Sequence, residues 1–313
     1  MTDKVSEESV RSANWSGSIP IVLSLAPSSL SSPTMPTSIH VLMARQSYLH
    51  IGLKDAVKRL HKFAPTVLSI STTSIVRKEP KPGEETDESG TLTPSRTETR
   101  GADSEFPMRV CWFEDEESQI ALRWHLFAGV LWDMRRKPKN LPWKLRLHFS
   151  QYPASQILPM DGDVMTVLER SYKHSLKQAL FLQKGSSKVG MGITKQSFEQ
   201  VWDSILTVNC KLYQQVDDEL QGLSNLLPVR LLIDSKPPIQ RPLKVEDGVL
   251  LGGLLADWAP SLFQNTGNGP EVASTVTQWS IQGLQIPLSA VLKDLWQSLS
   301  HPDHFLYVVV TSK

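Results

Sequence analysis

"LSAVLKDLWQSLSHPDHFLYVVVTS", residues 288–312, changes its periodicity in the middle. Leu288, Val291, Leu292, Leu295 and Leu299 recur at spacings of three and four, which places them on one face of a helix. After "HPDH" the spacing collapses into a run from Leu306 to Val310 that is mostly β-branched. A strand with no polar alternation is buried on both faces, so this one lies in the middle of its sheet. Other strands must flank it. "PVRLLID" (228–234) and "PIQRPLKV" (238–245) read as a hairpin across "SKPP", and "STVTQWSIQGL" (274–284) supplies a further strand. "VLLGGLLADWAPSLF" (249–263) is helical between them.

The N-terminal part has the same order. "IPIVLSL" (19–25) and "SIHVLMARQSYLHIG" (38–52) read as strands, and "KDAVKRLHKFA" (54–64) as a helix. "RVCWFEDE" (109–116) and "IALRWHL" (120–126) are strands around an acidic turn. "AGVLWDMRR" (128–136) is a short helix. "PWKLRLHF" (142–149) alternates Trp143, Leu145, Leu147 and Phe149 as a closing strand. Strand, strand, helix, strand, helix, strand is the order of a β-grasp, or ubiquitin-like, domain, and it occurs twice. Between the copies only helical periodicity is found. "VMTVLERSYKHSLKQALFLQ" predicts one helix. "KQSFEQVWDSILTVNCKLYQQVDDEL" predicts another, with Phe198, Val201, Trp202, Ile205, Val208 and Leu212 as its apolar stripe. The fold class is therefore α+β: two ubiquitin-like domains flanking a helix-rich domain. The boundaries read as a polar segment 1–13, a first ubiquitin-like domain 14–155, a helix-rich domain 156–225 and a second ubiquitin-like domain 226–313.

Residues 70–107 form an insertion in the first domain. Arg77 to Pro107 holds four prolines, a single aromatic (Phe106) and mostly charged or small residues. Such a stretch buries too little apolar surface to offset its ordering entropy, so it is expected to be disordered. Deleting residues 78–105 should leave fold and solubility intact, which expression and a melting curve check.

Lys plus Arg is 33 and Asp plus Glu is 32, which gives no global attraction to nucleic acid. Cys111 and Cys210 stand alone, a usage that suits a reducing compartment. No apolar h-region opens the chain, and no run reaches the ~20 residues that span a bilayer. A cytosolic protein with at most peripheral membrane contact is expected. No phosphate loop, HExxH or GxSxG is present; "KGSSKVGMG" lacks the GK[ST] ending and follows a helix. His301, Asp303 and His304 in "HPDHF" could be imagined around a metal, but Pro-Asp is ordinary turn chemistry. "FEDEE" (113–117) reads as a solvated acidic turn. No nucleophile, base and orienting group can be assembled, so no enzyme, cofactor or metal site is expected.

One feature remains. Lys173, Lys177 and Lys184 fall within about 40° on the helix "SYKHSLKQALFLQKGS" (171–186), at ~100° per residue. An amine attacks an acyl group only when deprotonated, and a neighbouring cation favours that state. A solvated basic face remains the alternative reading.

The chain resembles the autophagy protein 5 family. "NWSGSIPIVLSL" and "RQSYLHIG" are similar to its first two strands. "WFEDEESQIALRWHLFAGVLWDM" followed by "LPWKLRLHF" matches its Trp-Phe-Glu, Leu-Lys/Arg-Trp-His, Gly-helix and Leu-Pro-Trp block. "PVRLLI", "IQRPL" and "IQGLQIPLSAVLKDLWQSLSHPDHFLYVVV" resemble its C-terminal domain. Gln178 and Leu180 stand where the family's Leu-Lys-Glu-Ala-Asp carries acids. The resemblance implies that Lys177 accepts the C-terminal glycine of the ubiquitin-like autophagy protein 12 in an isopeptide bond. It further implies a non-covalent helical partner, autophagy protein 16, in a groove where the three domains meet. It implies an E3-like complex that promotes transfer of autophagy protein 8 to phosphatidylethanolamine at the pre-autophagosomal membrane, working with the pathway's conjugating enzymes. An unconjugated adaptor in membrane trafficking is the competing expectation.

Overall fold

The computed structural model describes residues 7–31, 33–64, 110–135, 140–185, 193–220, 226–244, 248–266 and 269–312. The expected insertion at 70–107 lies outside these residues.

The chain opens with helix α1 (Glu7–Ser16), where the sequence reads as a polar segment through residue 13. The first sheet follows: β1 (Ser18–Leu25), β2 (Ile39–Ala44), β3 (Trp112–Asp115), β4 (Ile120–Ala121) and β5 (Trp143–His148), in the order β2-β1-β5-β3-β4. β1 and β5 run parallel at the centre, with Leu23 opposite Leu145. Helices α2 (Leu49–Gly52) and α3 (Lys54–His61) fall between β2 and β3, and α4 (Ala128–Asp133) precedes β5. Ile19, Ile21, Leu23 and Leu25 on one face of β1 are buried, as are Ala56, Val57 and Leu60 of α3.

Two strands are shorter than their patterns predict. β2 stops at Ala44, where the Arg45 N–H turns away to Gly17 O at 2.9 Å and Tyr48 and Leu49 enter the core. β4 is only Ile120–Ala121, because Trp124 leaves the sheet and its indole donates to Leu158 O at 2.9 Å. α4 begins where Gly129 meets Arg45. Their backbones bond at 2.9 Å, and a Cβ on Gly129 would lie 3.1 Å from Arg45 O.

The middle of the chain is helical: α5 (Val164–Lys184), α6 (Lys195–Leu206) and α7 (Cys210–Leu220). The last two read as one helix in sequence. Val208 takes φ 51° and the Asn209 side chain accepts from the Leu212 N–H at 3.1 Å, so a new helix starts there. Phe198, Val201, Trp202 and Ile205 are buried as expected. Beyond the break Tyr213 and Val216 are the buried residues, and Val208 and Leu212 are only half-buried.

The second ubiquitin-like unit contains β6 (Leu226–Leu227), β7 (Val229–Ile233), β8 (Leu243–Lys244), α8 (Leu251–Trp258), β9 (Phe263–Thr266), β10 (Gly269–Val272), β11 (Val276–Ser280), α9 (Leu292–Leu299) and β12 (Leu306–Ser312). Its sheet order is β11-β12-β7, with β12 parallel to β7. The expected hairpin is present but interrupted: Leu231 bridges Ile239, and in the same register β6 pairs with β8, Leu227 opposite Leu243. Pro237, Pro238 and Pro242 surround that bridge and have no N–H to extend a ladder.

The uniform apolar run of β12 now has its cause. Leu306, Val308 and Val310 face a core with Leu231, Leu254 and Leu255 of their own domain. Tyr307 and Val309 face the core that the first ubiquitin-like domain shares with the helices. Both faces are buried because the strand serves two cores. Among the described residues no helix is long and apolar enough to cross a membrane.

Candidate functional site: an exposed lysine on a braced helix

α5 is closed at both ends. Asp163 caps its start, accepting from the Thr166 N–H at 2.9 Å, and Gly185 ends it at φ 64°. Leu168, Tyr172, Leu176, Ala179 and Leu180 are buried. The lysines predicted to share a ridge have different surroundings. Lys173 is half-buried and pairs with Glu169 one turn back, so the like charge expected beside Lys177 is offset by a carboxylate. Lys184 is half-buried. Lys177 is exposed, and among the described residues no carboxylate pairs with it. Its Nζ lies 5.1 Å from the centre of the Phe198 ring, a cation–π contact, while the side chain as a whole stays exposed.

The residues flanking Lys177 are fixed to the second ubiquitin-like domain. Arg230 of β7 donates to Ser175 Oγ at 2.9 Å and Gln178 Oε1 at 2.7 Å. It also donates to Tyr307 Oη at 2.8 Å and Gln240 Oε1 at 2.9 Å, and its guanidinium lies 3.5 Å above the Phe305 ring. Asp303 completes the cluster, accepting from Ser175 at 2.6 Å and Tyr307 at 2.8 Å, 3.7 Å from Arg230. Gln178, a departure from the family's acidic pattern, is therefore a tether.

"HPDHF" is the hub of this clasp. Its three polar side chains diverge: Asp303 to Ser175, His304 to Asp217 of α7 at 2.9 Å, and His301 onto the Phe127 ring. Tyr172 of α5 donates to Pro302 O at 2.9 Å. α1 joins the same assembly. Arg11 pairs with Asp217, Asn14 donates to Ser298 O at 3.3 Å, and Trp15 packs on Tyr213. Sequence reading weighed this motif for metal and turn chemistry and missed its joining role.

"FEDEE" also differs from its expectation. Asp115 is buried, not solvated. Burial pushes its carboxyl up, but the Ser118 N–H, the Trp143 indole and the Arg135 guanidinium outweigh burial and hold it below the usual range. Near it a groove of about 500 Å³ opens, with Ile120, Leu122, Leu131 and Met134 as apolar lining. Glu117, Arg123 and Asp234 border it with charge, and the connector residues Ser155 and Gln156 reach it. A smaller cavity of about 260 Å³ shares Arg123 and brings in Gln178 of α5 and Arg230 of β7, so all three domains meet there.

Two buried histidines, His50 and His301, and the half-buried His125 give a pH signature. Burial lowers His50 to about 4; its hydrogen bond to Cys111 O opposes this. Burial, then Arg123 and Arg230, lower His125 to about 4. Burial, then Arg45, lower His301 to about 3. Their unfolded values lie near ~6.5, so below that pH the unfolded chain binds more protons. Stability should be fully present above about pH 6.5 and fall progressively toward pH 4. Urea midpoints measured from pH 7.5 to 4.5 check this; a flat midpoint down to pH 5 would refute it.

Two parallel-centred β-grasp sheets around a helical bundle define the class: a double ubiquitin-like scaffold. Family models assign the same parts. "Autophagy protein ATG5, UblA domain" matches residues 14–76 and 96–149, "Autophagy protein ATG5, alpha-helical bundle region" matches 165–222, and "Autophagy protein ATG5, UblB domain" matches 226–310. The chain belongs to the autophagy protein 5 family. Autophagy protein 5 of Aspergillus fumigatus is 23% identical, over 99% of this chain and 97% of its own length. That of Phaeosphaeria nodorum is 25% identical, over 64% of this chain and 75% of its own length. The crystal structure of Kluyveromyces marxianus Atg5 superposes with a TM-score of 0.70 at 25% identity, covering 98% of this chain and 100% of that one.

Proposed function

We propose that this autophagy protein is a conjugation acceptor, with Lys177 joined to the C-terminal glycine of the ubiquitin-like autophagy protein 12. The observation that carries the reading is the exposed Lys177, with no carboxylate partner among the described residues, on a helix tethered on both sides of it by Arg230. In the transfer, the deprotonated Nζ attacks the donor's glycyl thioester on its conjugating enzyme. The C–N bond forms, the C–S bond breaks, the enzyme's thiolate leaves and the amine's proton passes to solvent. The chain contributes position and accessibility and is not itself the enzyme.

The 500 Å³ groove, apolar within and charged at its border, fits an amphipathic helix, and autophagy protein 16 is its proposed occupant. The assembled complex would act like an E3 ligase, promoting transfer of autophagy protein 8 to phosphatidylethanolamine, with the protein cytoplasmic and peripheral at the pre-autophagosomal membrane. Co-expression with the native conjugation machinery tests the acceptor reading. A covalent species larger by one ubiquitin-like protein is expected. Its absence, with the donor charged on its enzyme, would leave the unconjugated adaptor as the better account.

A further inference from the structure

The smaller cavity holds one cation, Arg123, that the acceptor reading does not use. Arg123 is half-buried, and its Nη2 donates to two neutral acceptors, Ser235 O at 2.6 Å and Lys236 O at 3.4 Å. Among the described residues no carboxylate pairs with it, and burial lowers its pKa. Two residues on, His125 Nδ1 is buried without a hydrogen-bond partner. Arg230 also lines the cavity; its acidic neighbour Asp303 is 3.7 Å away and shared with Ser175 and Tyr307. No Asp or Glu lines the cavity among the described residues. Gln178 and Gln240 spend their carbonyl oxygens on Arg230, which turns their amide groups into the remaining donors.

A cation partly withdrawn from water with no counter-ion carries a cost, and an anion placed beside it offsets that cost. The free edge of the Arg123 fork suits a planar carboxylate. One uncompensated arginine balances a monoanion better than a phosphate dianion. Because Arg123 borders both spaces, a helix lying in the groove can send one side chain into the cavity.

We propose that the cavity between Arg123, His125 and Arg230 is a carboxylate subsite, filled by an Asp or Glu side chain of the helix that occupies the adjoining groove. The identity of that helix rests on the groove reading above; the carboxylate preference rests on the cavity alone. Two arms separate them. In the first, acetate is titrated into the full chain while the His125 imidazole signals are followed by NMR, with chloride as the ionic-strength control. A saturable shift is expected, and it should vanish in Arg123→Gln while the melting curve shows that variant folded. No saturable shift, or tighter binding of inorganic phosphate than of acetate, overturns the carboxylate assignment.

In the second arm, a labelled helical peptide of autophagy protein 16 is bound to the full chain. Replacing one of its carboxylates by the amide should weaken binding about tenfold on the native chain and not further on Arg123→Gln. If no such substitution distinguishes the two chains, the helix does not deliver the carboxylate and the proposal falls. If acetate binds and the peptide does not, the groove's occupant has been misassigned and the carboxylate site stands.

Discussion

Lys177→Arg should abolish the conjugate and leave the melting curve where it was. The substitution keeps the charge and the helix propensity. A guanidinium also keeps its place above the Phe198 ring, which Lys177 Nζ approaches to 5.1 Å. The folded state should therefore change by less than about 0.5 kcal/mol, as at other exposed sites. Chemically the change is complete, since a guanidinium stays protonated and offers no nucleophilic nitrogen. Autophagic flux should fail with the adduct. Lys173→Arg is the matched control: it keeps the ion pair with Glu169 and should keep the conjugate. Gel shift on all three lysine variants decides the matter. A conjugate that survives in Lys177→Arg and disappears in Lys173→Arg or Lys184→Arg would place the acceptor elsewhere on α5. One that survives in all three would remove it from this helix.

The sequence carries some of this plainly. α5 was legible because its apolar residues repeat at helical spacing for 21 residues, with the lysines together on the neighbouring sector. β12 was legible as a central strand because both its faces are buried. What was not legible depends on residues far apart in the chain. Arg230 looks like the polar position of an alternating strand, and nothing near it says that its partners are Ser175, 55 residues back, and Tyr307, 77 residues on. Asp303 looks like a turn residue because Pro-Asp usually is one. A charge inside a strand as apolar as "VRLLI" was the one local hint of a buried partner. The break between α6 and α7 had a local signal too, the capping Asn209, but the periodicity of the flanking residues overrode it. The truncated β4 had none, because Arg123 and His125 alternate as a strand would while the Trp124 contact pulls them away.

Arg230→Met should cause a large loss of stability, about 3–5 kcal/mol, the range for removing one partner of a buried ion pair. The methionine fills similar space over Phe305, so lost packing is a minor part. The main cost falls on Asp303, which is 1% exposed and would keep only hydroxyl and backbone donors. Gln178 would lose its tether, and α5 would be held to the second ubiquitin-like domain by the bonds from Ser175 to Asp303 and from Tyr172 to Pro302, without the fork that joins Ser175 to Gln178. Arg230→Lys should be intermediate, since one ammonium cannot serve Ser175, Gln178, Gln240 and Tyr307 at the spacing of a planar fork. Adding Asp303→Asn to Arg230→Met removes the stranded charge while keeping an acceptor, and should recover about half of the loss if the uncompensated carboxylate is its cause. Urea unfolding of the four chains measures this directly. A cost below about 1 kcal/mol for Arg230→Met would mean that apolar packing alone joins the domains. The same variants separate holding from reacting. With Lys177 untouched, conjugation per folded molecule should slow in Arg230→Met, because the acceptor helix is no longer presented in one orientation, and recover less than stability does in the double variant. Equal recovery of both would reduce the clasp to a stability element.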